Sequence, residues 1–351
     1  MCASYAVNMT ESSSDESMDL RDHPWIKSLL DADIAPRTKS QYVRSLTTLT
    51  TLAGGRPLET IIAHPKAMLK RINAKSEKLQ TRKALVSAIK ALAKYNPSLK
   101  EEYATELDKW SERFRELDRG IAERVGSAEP TEKELVNWVD WPEVMRKQHE
   151  LGTLCYGSTP HLLLSMYSLI EPIRADLGLV RIMYEGSGEE SGPDANYIVI
   201  SRRSNQSTLV LQTYKTSKRY GRFERDIPDQ LVSIIRSSLE RRPRRWLFVD
   251  DYGEPYKNRN SYTRFANRVF ERIFNKRFTI SLLRHSFVSN LNFNEATPTE
   301  LFKHSKNMMH SIGMQQMYRR RIVPKVSVQR IPRDGGPVRP QTPHAGRTML
   351  I

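Results

Sequence analysis

Between residues 36 and 52 the apolar positions Tyr42, Leu46, Leu49 and Leu52 recur at spacings of four, three and three, which places them on one face of a helix. Leu85, Ile89 and Leu92 repeat the pattern, closed by Asn96-Pro97. A longer run of Tyr103, Leu107, Trp110, Phe114, Leu117 and Ile121 alternates four and three. Residues 26–127 are therefore expected to form an all-α bundle. The composition of residues 126–130 (Gly-Ser-Ala-Glu-Pro) marks a linker, after which Thr131 and Glu134 match a capping box that opens a new helix. Trp138 and Trp141 are expected to dock that helix as core aromatics.

From there the pattern is mixed. A helix is predicted near 160–170 and strands over 179–184, 197–200 and 208–214, the last pairing with 221–227 as a hairpin whose turn is 215–220. Helical spacing returns over 231–239, 262–274, 280–291 and 301–309. Residues 131–322 thus read as a mixed α+β unit behind the helical one. The flanks lack periodicity: 1–25 is expected to be a disordered acidic leader, and 323–351 a basic, Pro-rich tail with no core of its own.

Charge sharpens the picture. Lys plus Arg number 56 against 40 for Asp plus Glu, a formal net charge of +16. Such a surplus points to a polyanionic partner, nucleic acid being the common one; the bland alternatives are solubility or an acidic membrane surface. Arg37, Lys39, Arg44, Lys70, Arg71, Lys75, Lys78, Arg82 and Lys83 crowd the helical region. Any one of them could simply lie on a solvated face, but their clustering favours a DNA-facing surface, with Arg37, Lys39, Arg44, Lys78, Arg82 and Lys83 as candidate contacts. Cys2 and Cys155 make neither a disulfide framework nor a zinc site. No apolar run approaches the roughly 20 residues of a membrane span, and no signal-peptide core opens the chain. A soluble protein in a reducing intracellular compartment is expected, without a membrane partner.

The chemistry gathers late in the chain. Leu283-Arg284-His285-Ser286-Phe287 is followed by His310, 25 residues after His285, and by Tyr318 eight residues later. Upstream lie Arg174, in Glu171-Pro172-Ile173-Arg174-Ala175-Asp176-Leu177, and Lys215, in the predicted turn. Guanidinium forks clamp phosphate oxygens, imidazole moves protons near neutrality, and a tyrosine hydroxyl can form a covalent phosphodiester. Each residue has a plainer reading. Tyr318 could be a packing tyrosine, and Arg174 could pair with Asp176. Lys218 rivals Lys215, and His304-Ser305 imitates His310-Ser311 but lies fourteen residues from Tyr318, so His304 reads as surface or structural.

The four elements, in this order, resemble the tyrosine recombinase family. The wording of the Arg174 segment, of Tyr214-Lys215-Thr216-Ser217-Lys218, of Leu282-Leu283-Arg284-His285-Ser286-Phe287 and of residues 308–318, together with 134–144 at the junction, is similar to the integrases of Crypton-type transposons, virophages and large DNA viruses. The resemblance implies an α-helical N-terminal core-binding bundle plus a mixed α+β tyrosine recombinase catalytic domain, closing around duplex DNA. It implies that Tyr318 attacks the scissile phosphate to leave a 3′-phosphotyrosyl bond, that Arg174, Arg284 and His310 hold the non-bridging oxygens, and that Lys215 protonates the departing 5′-oxygen. Asp176 and His285 take supporting places. So does Ser281, which stands where many members carry a histidine or lysine and cannot act as a base; which group deprotonates Tyr318, with His285 or water as candidates, stays open. No metal or other cofactor is implied. The implied partner is double-stranded DNA, bound by a homo-tetramer at synapsed sites, in the host nucleus, a viral replication site or a prokaryotic cytoplasm. The implied function is site-specific recombination or integration of mobile or viral DNA. A type IB topoisomerase-like relaxer and a catalytically idle sequence-specific DNA-binding protein are the alternatives. A metal-dependent integrase built on three carboxylates finds no supporting pattern.

Overall fold

Proline in the first turn opens seven of the described helices, where its missing N–H costs nothing and its fixed φ suits the start. The structure, a computed structural model, describes residues 20–187, 192, 194–204 and 206–322. Residues 1–19 of the expected leader and the tail from 323 lie outside the described residues. Residues 20–25 of that expected leader are structured: a 3-10 turn spans Leu20–Asp22, and α1 (Pro24–Asp31) follows, capped by His23.

Six more helices complete the first stretch: α2 (Pro36–Leu52), α3 (Leu58–Ala63), α4 (Pro65–Lys75), α5 (Leu79–Tyr95), α6 (Pro97–Glu102) and α7 (Ala104–Gly126). The periodic residues of α2, α5 and α7, Ile121 excepted, face one buried cluster that includes Leu46, Leu49, Leu85, Ile89, Leu92 and Trp110. Ile26 and Leu29 of α1 join it.

After the 127–130 segment come α8 (Glu132–Val136), α9 (Trp141–Cys155) and α10 (Thr159–Ser168). The Thr131–Glu134 capping box forms, but it opens a helix of one turn, and α9 starts separately at Trp141. Trp138 is buried, and Trp141 packs edge-on against Phe287 with centroids 5.0 Å apart. A 3-10 turn, Ala175–Leu179, leads into a four-stranded sheet in the order β1 (Val180–Tyr184), β2 (Asn196–Ile200), β3 (Ser207–Leu211), β4 (Phe223–Asp226). β1 runs parallel to β2, whereas β2–β3 and β3–β4 are antiparallel.

The hairpin of the last two strands differs from the expected one. Leu211 pairs with Phe223, so the connection runs from 212 to 222 and holds a short helix, α11 (Ser217–Tyr220), in place of a tight turn at 215–220. The remaining helices are α12 (Asp229–Arg241), α13 (Arg259–Phe274), α14 (Ile280–Asn290), α15 (Pro298–Asn307) and α16 (Ile312–Tyr318). A second cluster, including Leu162–Leu164, Ile173, Leu177, Ile198, Phe270 and Leu283, lies beneath the sheet and these helices. Close packing places the Arg174 segment: a Cβ on Gly178 would fall 2.4 Å from Cγ of Tyr262, so only glycine lets α13 approach the 3-10 turn.

Candidate active site

α14 is buried almost all round, and its apolar residues Leu282, Leu283 and Val288 draw Arg284 into the interior, where it is 1% exposed. Arg284 Nη1 donates to the carbonyl of Pro172 at 2.7 Å, while Nε and Nη2 have no partner. Its Cζ lies 4.8 Å from the centroid of the Tyr318 ring. Arg174 follows the buried α10; the Tyr167 hydroxyl donates to its carbonyl (3.2 Å), and its own Nη1 donates to the carbonyl of Met309 (3.3 Å). His310 is buried with both ring nitrogens unpartnered, its centroid 5.4 Å from that of Tyr318. Arg174, Arg284, His310 and Tyr318 thus come together from four segments of the chain, and buried donors there are left open. Unpaired buried polar groups are costly, so a cluster of them marks a place built for a ligand.

The electrostatics suit an anion. Burial pushes the Tyr318 phenol up, but the Arg284 and Arg174 guanidiniums outweigh it and leave its pKa below the ordinary value. Burial, then the same two charges, pushes His310 down to about 3, so at neutral pH it is a neutral imidazole. His285 is pushed down to about 4, by burial first and by Arg320 second. Its Nδ1 meets the Tyr318 carbonyl at 2.7 Å and its Nε2 meets Arg320 Nη2 at 3.4 Å. Both nitrogens are occupied away from the phenol, so His285 holds the backbone of Tyr318 and is not placed to take its proton.

Asp176 is buried, but its ion-pair partner is Arg259 at the start of α13, not Arg174; its second oxygen is unpartnered. Burial raises its pKa against the lowering by Arg259, Arg174 and Arg284. Ser281 is exposed in the first turn of α14, and its side chain makes no hydrogen bond among the described residues. Lys215 and Lys218 are both exposed, and neither side chain is paired among the described residues. Lys215 stands next to Thr216, whose Oγ1 donates to the same Met309 carbonyl at 3.3 Å. His304 and Asn307 bind Glu171 at 3.0 Å each, and Arg225 pairs with it too, which makes His304 a brace for the Arg174 segment.

Among the basic residues of the helical stretch, Lys39 donates to the Leu30 carbonyl, Arg82 to those of Ser76 and Asn73, and Lys83 pairs with Asp118. Arg37, Arg44 and Lys78 are exposed, with side chains unpaired among the described residues.

The sequence reading missed several groups that shape the site. Glu134, besides capping α8, accepts from Arg320 Nη2 (3.0 Å) and Nε (3.3 Å). Met309 has φ 55°, a left-handed value uncommon for a residue with a side chain. Neither Arg259 nor Met309 carries a local signal; only the fold brings each to its partner.

No family model and no curated protein sequence matches the chain. Among solved structures it is similar to a XerA recombinase, with a TM-score of 0.36 and 12% identity over 84% of this chain and 91% of that one, a likeness too distant to bear on function.

Proposed function

We propose that the chain breaks and rejoins duplex DNA through a covalent bond between Tyr318 and a 3′-phosphate. The observation that carries the reading is the set of unpaired buried donors, Arg284 Nε and Nη2 with the His310 ring, gathered around the Tyr318 phenol. A phosphodiester seated there would receive the donors that lack partners.

In this reading Arg174 and Arg284 hold the non-bridging oxygens as charge builds at phosphorus, and neutral His310 adds one N–H donor. The Tyr318 oxygen attacks, the Tyr–O–P bond forms, and the bond from phosphorus to the 5′-oxygen breaks. The phenol proton passes to water, helped by the two guanidiniums that favour the phenolate. Lys215 gives a proton to the leaving 5′-oxygen. A second 5′-hydroxyl reverses these steps on the same or a new partner, so the linkage energy is retained and no cofactor is required. Exchange of partners, as in recombination or integration of mobile or viral DNA by a tetramer on synapsed sites, is preferred over simple relaxation. It rests on the sequence resemblance, and the protein would act wherever that DNA resides.

A nicked duplex whose 5′ fragment diffuses away traps the adduct. Wild-type protein is expected to shift on a denaturing gel with the DNA attached at Tyr318, and Tyr318→Phe to bind without shifting. Adduct at full yield from that variant would refute the assignment. Relaxation of a supercoiled plasmid without exchange between two duplexes would favour the relaxer.

A further inference from the structure

Several side-chain hydrogen bonds tie down the segment that carries Lys215, those of Gln212 and Thr213 to the Gly192 and Asp194 carbonyls among them. Asn196, buried at the start of β2, accepts through Oδ1 from the backbone N–H groups of Gln212 (2.9 Å) and Thr213 (3.0 Å) and donates through Nδ2 to the Thr213 carbonyl (2.9 Å). The Tyr214 hydroxyl donates to the Gly221 carbonyl at 2.8 Å, drawing 214 and 221 together. The Asn196 and Tyr214 ties bind the segment to its own sheet and hairpin.

A further tie leaves the hairpin. Thr216 Oγ1 donates to the Met309 carbonyl, 93 residues away, at 3.3 Å. That carbonyl precedes His310 and also receives Arg174 Nη1 at 3.3 Å. It belongs to a residue in the left-handed region, a conformation that persists only where surrounding contacts over-determine it. One oxygen therefore gathers the arginine, the lysine segment and the histidine segment. Lys215 itself is exposed and makes no hydrogen bond or ion pair among the described residues, so its own side chain has no anchor.

We propose that Thr216 is a positioning residue that docks the Lys215 segment against Met309 and so sets where the lysine ammonium meets the leaving 5′-oxygen. The inference rests on Lys215 being the general acid. Loss of the tie would let the segment move on its sheet-side anchors alone. It would slow proton delivery while leaving Tyr318 and the phosphate donors in place.

The test is single-turnover cleavage by the full chain on two duplexes, one normal and one with sulfur as the bridging 5′-atom, which leaves without needing a proton. Thr216→Val keeps the shape and removes the donor. It is expected to slow cleavage of normal DNA by up to about 10²-fold, the scale of a 1 Å misplacement, to cleave the sulfur substrate near the wild-type rate, and to bind DNA unchanged. Thr216→Ser should restore the normal rate, and Thr216→Val added to Lys215→Ala should slow cleavage no further. Lys215→Ala is the benchmark: if sulfur does not rescue it, the general-acid reading fails and this inference with it. If sulfur rescues Lys215→Ala while Thr216→Val is wild type on both substrates, or equally slow on both, the general acid stands and the positioning role is overturned.

Discussion

His285 Nδ1 lies 2.7 Å from the carbonyl oxygen of Tyr318. A carbonyl only accepts, so Nδ1 carries the proton, and the neutral ring receives Arg320 on Nε2. The ring therefore fixes the end of α16 from below. His285→Ala is expected to cut the cleavage rate by about 10²-fold through misplacement of Tyr318, with duplex affinity unchanged in a binding titration.

The same ring sets a pH dependence. His285, held near 4, and His310, held near 3, lie below the ordinary histidine value, so the fold favours their neutral forms. Their stabilisation is full above about 6.5 and is lost as pH falls through the folded values. Thermal unfolding midpoints should drop between pH 6.5 and 3, and His285→Asn should flatten the upper part of that drop. A variant profile as steep as the wild type would contradict the assignment.

Arg174→Ala and Arg284→Ala should each slow adduct formation by roughly 10²–10³-fold, the scale for losing one transition-state donor. Binding should weaken far less, because other basic residues share the phosphate contacts. Arg284→Ala should in addition lower the melting temperature, since it strips the buried Pro172 carbonyl of its donor. Equal losses of binding and cleavage would mark both as general anchors.

Glu134 and Arg320 form a forked, half-buried pair. A double-mutant cycle with Glu134→Gln and Arg320→Ala, read by denaturant unfolding, should give a coupling of roughly 0.5–3 kcal/mol. Additive effects would show the pair to be incidental.

The basic residues of α2 to α5 should separate by their partners. Arg37, Arg44 and Lys78, unpaired and exposed, are expected to contact phosphate; replacing all three should flatten the log–log salt dependence of duplex binding by about 0.9 per lost contact. Lys39, Arg82 and Lys83, bonded within the fold, should cost stability more than salt slope. The opposite pattern would move the DNA-facing surface elsewhere.

How much of this was legible in the sequence follows from the range of each interaction. Arg174, Arg284, His310 and Tyr318 sit in wording and spacing that a linear reading detects, and α2, α5 and α7 show their apolar stripes directly. Helices as short as α3, α6 and α8 hold too few turns for a period to show, although the first-turn prolines of α4, α6 and α9 were usable signals. The Asp176–Arg259 pair spans 83 residues and the Thr216–Met309 bond 93. Contacts of that kind have no local grammar: the carbonyl of Met309 becomes an acceptor for Arg174 only where the fold brings the two together.

Just after Tyr318 the chain is fastened to the segment that leads out of α7 into α9. Arg320 grips Glu134, its N–H donates to Ser289 Oγ at 2.8 Å, and the Arg321 N–H donates to the Ala128 carbonyl at 2.8 Å. A pull on the chain at residue 322 would therefore be borne by residues 128, 134 and 289 before it reached Tyr318. The fastening acts as a strain relief, like the clamp on a cable behind its plug.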